Sequence, residues 1–394
     1  MTRRFRRARH ARVDDGPEVQ SLTTPLSQSK FRYSLRLNAM LRHEILRTRI
    51  SELAKQEEWA VRKKVMFIDL LRCVAPIAVV VIHVLGPYRE QLGEIPDSEW
   101  ITAISFNSFS RWAVPIFIMI TGALMLSDTR DFDARYYLKH RLGKVLLPFL
   151  AWSVFYAFLS GYTLAGFDSS VALQTLQALP VHETYYHLGF FYFFIPLYFI
   201  IPLLNIFVRK ISRGTVIGLA YVWLLLTTLF LFKVDGVWGQ ELILFSGYLL
   251  LGYCLFQYRW PALVLLVPLG IAALLLTDYM VVSTSLAQGE YTIGRWMSYK
   301  TLNTVLIAAM IFALCQRYSD RLSDFWKDKL AFMSRYSLGI YLLHPIFLWP
   351  VREFDLYFVH PGLMIPFWTL VCGGLALTAS WLLAKSSKTA WLVP

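Results

Sequence analysis

The sequence is poor in charge and in cysteine. Of its 394 residues only 16% are charged, 56% are hydrophobic, and mean hydropathy is +0.48. Soluble proteins carry roughly 25% charged residues, so an ordinary water-soluble enzyme is excluded, and so are disordered and collagen-like chains. The four cysteines, Cys73, Cys254, Cys315 and Cys372, fall in separate apolar segments without paired spacing. That argues against a disulfide framework and against a zinc site; they read as packing residues, and no metal is expected. No apolar run precedes residue 65, so no cleavable signal peptide is expected. An internal repeat, direct or inverted, of the kind many transporters carry is also missing.

What is present is apolar length. Thirteen Trp and twenty-one Tyr suit rings that collect at lipid–water interfaces. Runs near the roughly 20 residues needed to cross a hydrocarbon core lie near 66–86, 104–126, 145–163, 188–207, 214–232, 240–257, 261–277, 299–315, 330–350 and 361–384. The expected fold is therefore all-α: a polytopic membrane helical bundle of about ten transmembrane helices. Arg62, Lys63 and Lys64 before the first run place the N-terminus in the cytoplasm, and ten spans return the C-terminus there. On that reading the cytoplasmic loops hold sixteen Lys+Arg and the opposite loops about five. Nine or eleven spans would reverse the sign of the downstream half.

Three regions follow: a basic tail over 1–64, a membrane domain over 65–384, and a short cytoplasmic tail over 385–394. The first tail has 16 Lys+Arg against 7 Asp+Glu, most of the chain's net charge of +13. Its opening run, Arg3, Arg4, Arg6, Arg7, Arg9 and Arg12, has no aromatic interleaving beyond Phe5 and no recognition-fold signature. An anionic lipid leaflet suits it better than nucleic acid, so membrane lipids are expected partners and nucleic acid is not. Within it, 41–58 reads as a helix with Leu46, Ile50, Leu53 and Ala54 on one face, either lying on the membrane or solvated.

A charged side chain deep in a span costs roughly 2.5–3.5 kcal/mol even on the lenient insertion scale, so each needs a reason. The first span contains Asp69, Arg72 and His83, which at about 100° per residue share one face within about 60°. Two readings stand side by side. In one, Asp69 and Arg72 neutralise each other at spacing i,i+3 and His83 is a hydrogen-bonded core histidine. In the other, the three form part of a site.

Arg72 and His83 at this spacing resemble the signature of the membrane-bound acyltransferase 3 family. Further segments occur in that family's order: RWAVPIFIMITGALML at 111–126, with Thr121-Gly122 where Ser-Gly is usual; YYLKHRLGKVLLPFLAW at 136–152, a basic loop entering a Pro-bearing span; HLGFFYFFIPLYFIIPLL at 187–204; GYLLLGY at 247–253; and SRYSLGIYLLHPIF at 334–347. The resemblance covers 65 to about 384, and within the family it is nearest the O-acetyltransferases of surface polysaccharides, such as the one acting on enterobacterial common antigen. The basic tail is outside the family pattern. The resemblance implies transfer of an acyl group, commonly acetyl, from coenzyme A to a carbohydrate, with His83 catalytic.

Acyl transfer to a sugar hydroxyl needs a base, a group facing the developing oxyanion and a grip on the donor's phosphates. His83 is the candidate base, with Arg72 and Asp69 on its face; Arg72 reaches toward the thioester or pantetheine. Lys139, Arg141 and Lys144 form a basic cluster for the phosphates of acetyl-CoA, or simply obey the positive-inside rule. Arg111 meets the acceptor or steadies His83, or is an interfacial snorkelling arginine. Ser337, Tyr341 and His344 share one face of a later span, with Tyr341 a donor to the acyl carbonyl; His344 precedes Pro345, which favours a structural hydrogen bond to a freed carbonyl. Outer loops around His182, Glu183, Tyr185, Tyr186 and His187, and around Glu290, Tyr291 and Arg295, combine aromatic faces with polar groups, as a sugar site or an interfacial belt would.

The expectation is a multi-pass O-acyltransferase of the bacterial inner membrane, with acyl-CoA as donor and a polysaccharide or lipid-linked glycan as acceptor. Acetyl and succinyl donors are both open, as are direct transfer and an acyl-histidine relay. The competing readings are a polysaccharide exporter, since polar residues within spans also mark permeation paths, and a membrane scaffold recruiting partners through the tail.

Overall fold

The computed structural model describes residues 66–394; the basic tail and its expected helix over 41–58 lie outside the described residues. Helix α1 spans Met66–Val84. Helices α2 (Asp97–Ser110) and α3 (Ala113–Met125) form one span broken at Arg111 and Trp112. The break has a local cause. Pro115 has no N–H for the carbonyl of Arg111, so the helix restarts with the Ile116 N–H bonded to the Trp112 carbonyl at 3.3 Å.

A short α4 (Ala134–Tyr137) passes through a π-helical turn, Leu138–Leu142, into α5 (Gly143–Leu159). A two-residue hairpin, β1 (Tyr162–Thr163) and β2 (Gly166–Phe167), pairs Tyr162 with Phe167. After α6 (Ser169–Ala178) come α7 (Gly189–Lys210), α8 (Arg213–Leu231), α9 (Glu241–Tyr258), α10 (Leu263–Gln288) and α11 (Leu302–Tyr318). The amphipathic α12 (Asp324–Arg335), α13 (Ser337–Glu353) and α14 (Pro361–Ala384) complete the chain.

Among the described residues nine stretches are long and apolar enough to cross a membrane. The expected run over 330–350 is divided: the helix breaks at Tyr336, so its beginning belongs to α12, and α13 has 17 residues. The apolar stripe gave no sign of that break, because Tyr336 lies between two segments that are each helical. Helix α13 is buried through Gly339, Ile340, Tyr341, Leu342, Leu343, His344 and Pro345, and α8, α10 and α14 form the outer ring, with Leu225, Val264 and Leu370 exposed as lipid-facing residues are. The segment over 385–394, expected as a tail, packs back on the bundle: Val393 is buried and the Trp152 indole donates to the Leu392 carbonyl at 2.9 Å.

Interior prolines recur in α5, α7, α10, α13 and α14. Each leaves the carbonyl four residues earlier without its helical donor, and in lipid that carbonyl needs another. Pro202 frees Tyr198, whose carbonyl accepts the Tyr137 hydroxyl at 2.7 Å, joining α7 to α4.

Helices α3 and α9 meet backbone to backbone. A Cβ on Gly122 would strike the backbone of Leu249, and one on Gly252 would strike the backbone of Met119. Two glycines thus let two helices touch main chain to main chain, the small-residue packing that membrane helices use. Replacing Gly252 by Val should lower the thermal unfolding midpoint in detergent or abolish monodisperse protein, since overpacking costs about 1–3 kcal/mol. Gly373→Ala, where nothing lies within 4 Å, should leave the midpoint unchanged or raise it. Equal behaviour of the two variants would contradict this packing.

Candidate active site

A cavity of about 600 Å³ lies at the C-terminal end of α1, within the roughly 300–1,000 Å³ typical of small-molecule sites. Its floor is a cluster of rings. His83 stacks on His344 (centroids 5.2 Å apart, planes at 24°) and leans on Tyr186 at 4.7 Å. His187 meets His344 edge-on at 5.6 Å. The three imidazoles do not converge on a point, and among the described residues no group of three potential ligands forms a metal site.

Local chemistry fixes each ring. Pro345 removes the N–H that the Tyr341 carbonyl would receive, and His344 Nδ1 supplies it at 2.8 Å, with the Ile340 carbonyl 3.2 Å away. Two carbonyl neighbours require the proton on Nδ1, so His344 Nε2 carries the lone pair; that nitrogen is buried without a partner. Tyr186 and His187 head α7 in a 3-10 turn, held by the Thr184 hydroxyl on the Ser153 carbonyl at 2.9 Å. The Tyr341 hydroxyl donates to the His187 carbonyl. Among the described residues nothing hydrogen-bonds the His83 imidazole, which lines the cavity.

Three guanidiniums share this chamber: Arg89, Arg111 and Arg352. Arg111 Nη1 donates to the Tyr299 hydroxyl at 3.0 Å and its guanidinium lies 5.0 Å from that ring. Arg89 Nη2 donates to the Ile82 carbonyl at 2.8 Å. Arg352 lies over Tyr186 at 4.6 Å and donates to the His83 carbonyl. This last bond crosses Gly86, where a Cβ would sit 2.8 Å from Arg352 Nη2, so glycine is needed there for close approach rather than for its backbone freedom.

The remaining expected site residues, Tyr341 apart, lie elsewhere. Arg72, Arg141 and Lys144 line a second cavity, of about 190 Å³, with Thr121 and Tyr198; it shares no residue with the chamber. Lys139 is exposed and lines neither. Asp69 forms no ion pair with Arg72: it accepts from the Ser334 hydroxyl at 2.6 Å, and the Cys73 thiol donates to the Leu330 carbonyl at 3.2 Å, which together tie α12 to α1. The shared stripe of α1 therefore serves three neighbourhoods, since 14 positions of helix rise by about 21 Å and meet different helices along the way. Ser337 opens α13 and lines neither cavity. Arg295 is engaged by Asp235 through both carboxylate oxygens at 2.7 Å and lies 4.2 Å from the Phe230 ring. Tyr341 lines the chamber, but its hydroxyl proton is committed to His187.

Arg89, Arg352 and Tyr299 were not among the residues expected to form a site. A signal for the two arginines existed: both count among the few Lys+Arg on the side that the positive-inside bias keeps poor in them. Tyr299 carried none.

A family model described as an acyltransferase domain matches residues 65–385. Neither the curated proteins nor the solved structures contain a match to the chain.

The Pro345–His344 arrangement is testable by stability. His344→Ala leaves the Tyr341 carbonyl buried and unpaired, and should cost about 1–3 kcal/mol. His344→Asn, whose amide nitrogen sits near the Nδ1 position, should recover part of the loss. Thermal unfolding in detergent reads the difference, and an Ala variant as stable as the parent would contradict the assigned bond.

Proposed function

The chain belongs to the acyltransferase 3 family and is a multi-pass membrane protein; on that footing we propose that it is an O-acyltransferase of the bacterial inner membrane. It moves an acyl group, commonly acetyl in the family, from acyl-CoA to a hydroxyl of a cell-envelope or exported glycan. The observation that carries the reading is His83: an imidazole to which, among the described residues, nothing hydrogen-bonds, facing a cavity large enough for a sugar unit and the acyl end of the donor.

Direct transfer is the simplest course. His83 accepts the proton of the acceptor hydroxyl as its oxygen attacks the thioester carbon. A C–O bond forms, and the negative charge on the former carbonyl oxygen is met by a hydrogen-bond donor of the chamber wall. The C–S bond then breaks, and coenzyme A leaves as the thiol, its sulfur taking the proton that His83 had accepted. Arg72, Arg141 and Lys144 at the other cavity suit the donor's phosphates. Along α1, Arg72 and His83 are eleven residues apart, or about 16 Å, so the donor's extended arm must run beside that helix from one cavity toward the other.

Replacing His83 by Ala should lower acyl transfer by about 10²–10⁴-fold while the protein still assembles in the membrane. Mass spectrometry of surface glycans would then find the polymer outside the cell and its acyl groups missing. Retained acyl groups would refute the role of His83; loss of the polymer itself would favour an exporter.

A further inference from the structure

At the end of the bundle that holds His83, the loops and adjoining turns contain Arg89, Lys233, Arg295, Lys300 and Arg352. Arg295 is paired with Asp235 and Lys300 with Glu241 at 3.6 Å, and Lys233 is exposed. Arg89 and Arg352 instead turn into the chamber beside Arg111. Among the described residues no carboxylate lines that cavity or pairs with any of the three. The Nε of each is buried without a partner.

Capping does not account for all three charges, because Arg111 donates to the Tyr299 hydroxyl and, among the described residues, to no carbonyl of α1. Arg89 and Arg352 each spend one Nη on a terminal carbonyl of α1, yet the next carbonyl, that of Val84, is satisfied by the neutral Tyr357 hydroxyl at 2.8 Å. Nor does the oxyanion of acyl transfer: one or two donors suffice for it. The polyphosphate of the donor has a cationic cavity of its own around Arg72. Three like charges in one cavity are unfavourable by themselves. Burial, together with the like charges of Arg111 and Arg352, pulls the Arg89 guanidinium below its ordinary pKa. An anion would relieve that cost, and guanidinium forks match a carboxylate in two-point hydrogen bonds.

We propose that Arg89, Arg111 and Arg352 bind a carboxylate carried by one of the two reactants that meet at His83. It belongs either to the acceptor, as in a uronic acid unit, or to the acyl group, as the free end of a dicarboxylic acyl such as succinyl. This rests on the transferase reading and specifies what that site selects.

The test uses the full chain in lipid nanodiscs. With acetyl-CoA as donor, methyl glucuronide is compared with methyl glucoside; with methyl glucoside as acceptor, succinyl-CoA is compared with acetyl-CoA. One of the two comparisons should favour the charged reactant by about tenfold or more in kcat/KM, as expected for a charge-assisted pair, and that comparison identifies the source. Arg89→Gln should collapse the preference and Arg89→Lys should retain part of it. A direct readout needs no turnover: methyl glucuronide, or succinyl-CoA but not acetyl-CoA, should protect the three arginines from phenylglyoxal in peptide mapping. Protection without transfer from any CoA ester would sink the transferase reading and leave the anion site standing. Transfer with neither preference nor protection would overturn the anion site alone, and so would a preference that survives in both Arg89→Gln and Arg352→Gln.

Discussion

The end of α1 is the joint on which the site depends. A helix buried in apolar surroundings must find donors for its last carbonyls, and here Pro87, four residues after His83, has no N–H to give. Three side chains from elsewhere complete the set: Arg89 on Ile82, Arg352 on His83 and Tyr357 on Val84. Two of them are cations at a helix C-terminus, where the macrodipole favours positive charge. The requirement that closes the helix thereby draws guanidiniums to the chamber that His83 lines.

The same logic recurs through the bundle. Proline removes a donor, and a polar side chain fills the gap: His344 of the same helix beside Pro345, and Tyr137 of another element for Pro202. In water such carbonyls would be solvated at little cost. In lipid each needs a donor, and at Pro202 that need becomes a specific cross-link between α7 and α4. Close glycine contacts between α3 and α9 do the complementary work where no polar group is available, by bringing backbones together.

Much of this architecture was legible because apolar length and charge asymmetry are local quantities. The spans follow from runs of about 20 residues, and His83 stood out because an imidazole in such a run needs a reason. The motif order pointed to the family, and the match over 65–385 shows it. What was not legible depended on contacts between distant segments. Asp69 lies 265 residues from the Ser334 that holds it, and His83 lies 269 from Arg352. Helical periodicity places Asp69, Arg72 and His83 on one face; it cannot say that three different neighbours meet that face at three heights. Ser337 and Arg295 line neither cavity for the same reason: an i,i+4 spacing or an aromatic loop fixes a direction, not the partner waiting there.

The central claim is that His83 is the point at which the acyl group changes hands, with the donor entering from the Arg72 end. A cryo-EM structure of the full chain in nanodiscs with a non-transferable thioether analogue of acetyl-CoA tests it most directly. The account predicts the phosphates against Arg72, Arg141 and Lys144, and the acyl carbon in the chamber beside the His83 imidazole. An analogue whose acyl end lies outside that chamber, or one bound with its phosphates among Arg89, Arg111 and Arg352, would contradict it.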